Sequence, residues 1–94
     1  MSQLAQFQTE AIHRIAAEFG VATVRVFGSM ALGTADKNSD LDLLIRLKST
    51  ATLIQVIGFK QAVEEALGTR VDVVEEDGLS PYLEQKILNE AVLL

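Results

Sequence analysis

The chain has 94 residues, of which 49% are apolar, a formal net charge of −5 and no cysteine. This length fits one domain, residues 1–94, with a real hydrophobic core, and the missing cysteines exclude disulfides, thiolate metal sites and cysteine nucleophiles. The lysines and arginines are scattered along the sequence, whereas a protein that grips a polynucleotide backbone usually carries a basic stripe. We therefore expect no direct polynucleotide binding.

The first residues lack the basic and apolar segments of a signal peptide. No apolar run approaches the roughly 20 residues that a membrane-spanning helix needs. We expect a cytoplasmic protein that does not enter a membrane.

The first half of the chain predicts a helix, a strand and a helical turn. Apolar residues recur at three- and four-residue spacing over residues 3–19, which is typical of an amphipathic helix, and Gly20 stands where a C-terminal cap belongs. β-branched residues predict a strand over residues 21–27. Residues 29–32 can form a helical turn, and residues 35–39 form a polar loop.

The second half predicts a strand, a helix, a strand and a last helix. The strands cover residues 40–47 and 70–75, and an apolar helical face over residues 53–67 joins them. A connection of this length predicts that the two strands run parallel with a right-handed crossover. The acidic residues 75–78 predict a solvent-exposed turn, and Ser80-Pro81 predicts the start of the last helix. The whole pattern is an α/β (α+β) fold with a small three-stranded mixed sheet and flanking helices.

Acidic residues open the second predicted strand. Because side chains alternate along a strand at about 3.3 Å per residue, Asp40 and Asp42 point to one face about 7 Å apart. Two carboxylates on one face repel each other unless a positive charge lies between them, and Mg²⁺ is the cation that such hard oxygen ligands suit. The Gly28-Ser29 turn, which ten intervening residues separate from Asp40, offers backbone N–H groups and a hydroxyl to a phosphate.

A third carboxylate, Asp72, lies in the last predicted strand between two valines. Alone it reads equally well as an acid that an edge strand shows to water. With the paired aspartates, it becomes a candidate third ligand of the same metal site.

Other families with D-x-D motifs fit this chain poorly. The hydrolases that use D-x-D-x-T would need threonine where Leu44 stands, and nucleotide-sugar transferases need a larger domain. A Walker loop, a dinucleotide-binding glycine motif and a zinc-binding H-E-x-x-H motif are all absent.

The combination of Gly28-Ser29, the ten-residue spacing, Asp40-x-Asp42 and Asp72 resembles the nucleotidyltransferase superfamily that includes DNA polymerase beta. The short length, the S-D-L-D-L-L segment and the ending L-S-P-Y-L-E-Q-K-I-L-N-E-A-V-L-L look like its minimal members, which are often antitoxins of HEPN-family toxins. One residue departs from their pattern, since Leu32 stands where many minimal members carry arginine.

This resemblance implies an enzyme, with a polymerase beta-like fold, that transfers AMP from ATP to a hydroxyl of a HEPN toxin, a tyrosine near the toxin's active site, and releases pyrophosphate. Two Mg²⁺ ions would be held by Asp40, Asp42 and Asp72, and Gly28 and Ser29 would bind the nucleotide. It also implies a hetero-oligomer with the toxin. The alternative is a binding module that masks the toxin by contact, and transfer to a small molecule is a weaker third hypothesis because no acceptor-binding domain is present.

Overall fold

The structure, a computed structural model, describes residues 4–36 and 39–94. The elements follow the order α1 (Gln6–Glu18), β1 (Val21–Phe27), α2 (Gly28–Leu32), β2 (Leu41–Leu47), α3 (Leu53–Leu67), β3 (Val71–Glu75), a 3₁₀ turn (Glu76–Gly78), α4 (Pro81–Glu90) and β4 (Val92–Leu93). The predicted helix start at Gln3, and Lys37 and Asn38 of the predicted loop, lie outside the described residues. The other predicted elements are confirmed to within a few residues.

The strands form one mixed sheet in the order β3-β2-β1-β4. β2 runs parallel to β3, which confirms the predicted crossover, and β1 runs antiparallel to both β2 and β4. The prediction of three strands was one strand short. Ala91 leaves the helical conformation, so that the apolar chain end pairs with β1 at Arg25 and Val26, and two residues are too few for strand alternation to be visible in the sequence.

One face of the sheet carries the main core. α1 and α3 pack against each other, α1 contacts β1 and α3 contacts β3. Alternate strand residues point toward these helices and are fully buried together with helix residues, namely Val26, Leu43, Ile45, Ile12, Phe59 and Val63. Burying each such side chain contributes about 1.5–3 kcal/mol, so this face is a stable platform for whatever the other face carries.

The second face of the sheet is partly covered by the 3₁₀ turn and by α4, which contacts β1 and α2. Leu44, which alternation places on this face, is fully buried. Glu76 of the turn is only 4% exposed and accepts hydrogen bonds from Arg25 (3.1 Å) and Arg46 (3.4 Å). The prediction of a solvent-exposed acidic turn is therefore wrong for Glu76, because these arginines compensate the burial of its charge.

Local signals in the sequence explain where helices start and stop. Ser80 Oγ accepts a hydrogen bond from Leu83 N (3.3 Å) at the start of α4, where Pro81 occupies the first turn, as predicted. α3 ends at Leu67 and is capped by Gly68 in the left-handed conformation. Within the described ranges, no helix combines the length and the apolar content needed to cross a membrane.

Candidate active site

The candidate site lies at the edge of the sheet where β1 ends and β2 and β3 begin. Strand pairing places Phe27, Asp42 and Asp72 in one row, because Phe27 pairs with Asp42 and Asp42 pairs with Asp72. Residues directly opposite each other on paired strands point to the same face. The parallel register therefore brings together two of the carboxylates that the sequence singled out, although they are far apart in the chain.

Asp40 lies just before β2, two residues from Asp42. The next residue, Leu41, donates its N–H to the carbonyl oxygen of Arg70 (2.9 Å), which ties the start of β2 to the segment that leads into β3. Asp40 Oδ1 is 3.9 Å from Nε of Arg70, in an ion pair whose side chains are 38% and 87% exposed. An exposed pair at this distance contributes little to stability, so Asp40 is free to exchange Arg70 for another cation.

The pKa of Asp42 is affected by its burial and by both neighbouring acids. Burial raises the pKa of the Asp42 carboxyl above its usual 3.8, and the charges of Asp72 and then Asp40 raise it further. Both neighbouring carboxylates thus act on Asp42. Three acids that repel one another at one edge are an electrostatic cost that a bound cation would remove.

Gly28 packs directly against Asp42. Its backbone is left-handed, with φ +69°, and a Cβ at this position would overlap Oδ2 of Asp42 and lie 3.2 Å from its Cγ. Only glycine permits both the conformation and the contact. The turn after β1 is therefore held against the carboxylate row because residue 28 has no side chain.

Ser29 is the second residue of α2, and it is half-buried. Its carbonyl oxygen accepts hydrogen bonds from the N–H groups of Gly33, the left-handed cap of α2, and of Thr34 (3.0 Å). These bonds close the short helix and fix the Gly28-Ser29 turn beside Asp42.

The donor chemistry at this edge suits a hard divalent cation. Carboxylate oxygens of Asp42 and Asp72 share one row, and Asp40 adjoins it. Within residues 4–36 and 39–94, however, no group of three or more histidine, aspartate or glutamate side chains stands in an arrangement that could hold a metal ion. Asp40 here forms an ion pair with Arg70, and it would have to exchange this partner to join Asp42 and Asp72 around one cation.

Two surface cavities lie beside the sheet, and neither is lined by the three acids. A surface cavity of about 410 Å³ lies at the opposite end of β1 and β2, and its lining includes His13, Thr23, Lys48 and Leu94 but none of the three acids. A smaller cavity of about 190 Å³ adjoins the loop before β2 and is lined in part by Met30, Asp36, Ser39 and Leu41. The chemistry of the acids, and not cavity size, identifies the site.

The sequence reading missed Arg25, Arg46 and Glu76, which share the sheet face of the carboxylates. Strand alternation could have placed Arg25 on the face of Phe27, and Arg46 on the face of Asp42. No sequence signal showed that the acidic turn folds back over the sheet, so the link between them needed the structure.

The family of the chain is shown by comparison with known proteins. The sequence matches the nucleotidyltransferase domain family over residues 9–94. A Methanocaldococcus jannaschii protein that is provisionally named a protein adenylyltransferase is 37% identical over 73 residues, covering 78% of this chain and 78% of that protein. Protein adenylyltransferase MntA of Thermococcus cleftensis is 35% identical over 74 residues, covering 79% and 75%.

Solved structures share the fold. One that is provisionally described as a minimal nucleotidyltransferase superposes with a TM-score of 0.86 at 44% identity, covering 95% of this chain and 91% of that chain. A toxin-antitoxin complex with AMP-PNP reaches 0.76 at 24% identity over 89% and 69%. A complex of a tri-AMPylated Shewanella oneidensis HEPN toxin with MNT antitoxin reaches 0.71 at 20% identity over 94% and 69%, and these last two likenesses show the fold alone.

A mixed sheet that holds a glycine-serine turn against Asp42, in register with Asp72, is typical of enzymes that transfer nucleotidyl groups. The chain belongs to the nucleotidyltransferase domain family. The resemblance, the fold class and the enzyme class that the sequence predicted are thereby confirmed, apart from the fourth strand.

Proposed function

We propose that this protein is a Mg²⁺-dependent protein adenylyltransferase that transfers AMP from ATP to a tyrosine hydroxyl of a partner HEPN toxin and releases pyrophosphate. The observation that carries the proposal is the row that pairs Asp42 with Asp72, with Gly28 packed against Asp42. Two relatives at 37% and 35% identity are named protein adenylyltransferases. A fold neighbour is an antitoxin bound to an AMP-modified HEPN toxin.

The three acids and the Gly28-Ser29 turn each have a proposed role. Asp40, Asp42 and Asp72 would hold Mg²⁺. The bound metal would neutralise charge on the phosphates and acidify the attacking hydroxyl. Gly28 would let the backbone approach the triphosphate, and Ser29 would donate its hydroxyl to a phosphate oxygen.

The reaction is an exchange of one phosphorus–oxygen bond for another. The acceptor hydroxyl oxygen attacks the α-phosphorus of ATP, the bond from that phosphorus to the bridging oxygen breaks, and pyrophosphate leaves. Asp72, which is exposed at the open side of the row, would accept the proton of the attacking hydroxyl. The chain's part in the reaction is to position these groups and to provide the carboxylates.

A partner protein would bring the acceptor, and the two chains would form a hetero-oligomer. Exposed apolar side chains at the start of α3 support a contact with another protein, since Leu53, Ile54 and Ile57 are 72%, 79% and 49% exposed. The same surface would serve a protein that only masks the toxin, so the contact does not distinguish the two functions. Transfer of labelled AMP to the toxin distinguishes the enzyme from the masking protein.

The test incubates the purified protein with α-³²P-labelled ATP, Mg²⁺ and the product of the neighbouring gene as the candidate toxin. We expect label on the toxin, and a loss of at least about a hundredfold in Asp42→Asn. Asp77→Asn, a matched change of an exposed aspartate outside the row, should keep the wild-type rate. If neither wild type nor Asp42→Asn labels the toxin while both inhibit it, the protein is a masking module and the proposed chemistry is wrong.

A further inference from the structure

The sheet face that carries the acids is organised in successive rows. Side chains two residues apart on a strand lie on the same face about 6.6 Å from each other, and the pairing therefore stacks a second row directly behind the acids. The first row is Phe27, Asp42 and Asp72, and the second is Arg25, Leu44 and Val74. Arg46 and Glu76 follow beyond the second row.

Arg25 stands where it could reach either of two carboxylates. It pairs with Leu44, so that Asp42 is its diagonal neighbour across the β1–β2 ladder, at about 7–8 Å between backbones, which a long side chain spans. In the structure the guanidinium turns the other way, and its Nη1 donates to Oε2 of Glu76 at 3.1 Å. Arg25 is thus directed away from the acids by Glu76.

Glu76 is built into this position. Its side chain is 4% exposed, against 28% for Arg25 and 54% for Arg46, and each of its two carboxylate oxygens accepts from a different arginine. Arg46 can turn to water if Glu76 loses its charge, because more than half of its side chain is already exposed. Arg25 is less exposed and lies beside a group of acids, so Asp42 is the partner within its reach.

We propose that Glu76 is a positioning residue that holds Arg25 away from Asp42 and so keeps the carboxylate row free to bind a divalent cation. The inference rests on the proposed function, since it concerns the same acids. An arginine paired with Asp42 would occupy the oxygen atoms that the cation needs and would repel the cation. The triad also ties the segment after β3 to β1 and β2, but that structural role alone would leave metal binding unchanged in a folded variant.

The test measures Mn²⁺ binding in the presence of AMP-PNP by electron paramagnetic resonance, with circular dichroism to confirm folding. We expect Glu76→Gln to bind Mn²⁺ about tenfold more weakly than wild type, the effect of a guanidinium beside a carboxylate. Adding Arg25→Met to Glu76→Gln should restore wild-type affinity, because the competing cation is gone. Arg46→Gln is the matched control, which removes the 3.4 Å bond and leaves the Arg25–Glu76 bond, and it should bind Mn²⁺ normally.

The outcomes separate this inference from the proposed function. If wild type binds no Mn²⁺ with AMP-PNP, both are wrong. If wild type binds and the folded Glu76→Gln variant binds equally well, or the double variant fails to restore binding, only the positioning role of Glu76 is wrong. If Glu76→Gln is unfolded, Arg25→Met alone decides: unchanged Mn²⁺ affinity supports the inference, and weaker affinity overturns it because Arg25 would then contribute to the site.

Discussion

Replacing Gly28 with alanine tests the contact between the glycine-serine turn and Asp42. Gly28 has φ +69°, and a methyl group there would overlap the Asp42 carboxylate. Left-handed backbone costs a residue with a Cβ about 1–2 kcal/mol, and turning the Asp42 side chain away from its rotamer to admit the methyl costs about 0.5–1.5 kcal/mol more. We expect Gly28→Ala to lower the free energy of unfolding by about 1.5–3.5 kcal/mol.

Gly33→Ala is the matched control for this prediction. Gly33 has φ +78°, but no atom lies within 4 Å of the position its Cβ would take. This variant therefore bears the backbone strain without the collision, and we expect it to lose only about 1–2 kcal/mol. The difference between the two variants in urea unfolding measures the collision with Asp42.

Activity gives the second half of the test. Gly28→Ala can relieve the collision only by moving the turn or by rotating the Asp42 carboxylate, and either change displaces a group that the proposed reaction uses. AMP transfer should therefore fall strongly in Gly28→Ala and stay near wild type in Gly33→Ala. Equal unfolding free energies in the two variants, with full transfer by Gly28→Ala, would refute the contact and its role.

Three further changes test the electrostatics and the packing. Burial and the neighbouring acids raise the pKa of Asp42 above 3.8, so the native state binds the proton more tightly than the unfolded state, and the free energy of unfolding falls as pH rises from 3.8 through the raised pKa. In EDTA, Asp42→Asn should therefore be more stable than wild type at pH 7 and equal to it near pH 3. A variant that is less stable than wild type at pH 7 would contradict this. Gly58→Ala places a methyl 2.9 Å from Cδ1 of Phe19, and we expect urea unfolding to show that the free energy of unfolding falls by about 1 kcal/mol or more. A higher free energy of unfolding, from the better helix propensity of alanine, would show that the Phe19 ring moves freely. Ser80→Ala removes the side chain that caps α4, and thermal unfolding should show a stability lower by about 1 kcal/mol. An unchanged stability would mean that the cap is not formed in solution.

Much of the fold could be predicted because hydrophobic patterning is local. Hydrophobic periods, residue propensities and turn and capping signals predicted the described elements except β4, and the length of the α3 connection predicted the parallel pairing of β2 with β3. β4 was missed because a two-residue strand shows no alternation. Gly58 lies within α3 in close contact with Phe19, and hydrophobic periodicity alone does not identify such a contact.

The candidate site also has one part that the sequence predicts and one part that only the structure shows. Asp40 and Asp42 are two residues apart, so strand alternation alone predicted that they point to one face, and the nearby Gly28-Ser29 turn was predicted as a phosphate-binding segment. The row with Asp72 follows from the strand register, which the predicted crossover could only suggest. Glu76 read as a solvated acid because its partners come from two distant strands, and only tertiary packing turns the 3₁₀ turn back onto them.

The central claim is that Asp40, Asp42 and Asp72 form one metal-dependent site beside the Gly28-Ser29 turn. The most direct test is a crystal structure of the protein with Mn²⁺ and AMP-PNP, in which anomalous scattering locates the manganese. We predict manganese within about 2.0–2.3 Å of carboxylate oxygens of these acids, with the phosphates against the turn. Manganese bound elsewhere, or a nucleotide bound in the cavity of about 410 Å³ at the opposite end of β1 and β2, would contradict the account.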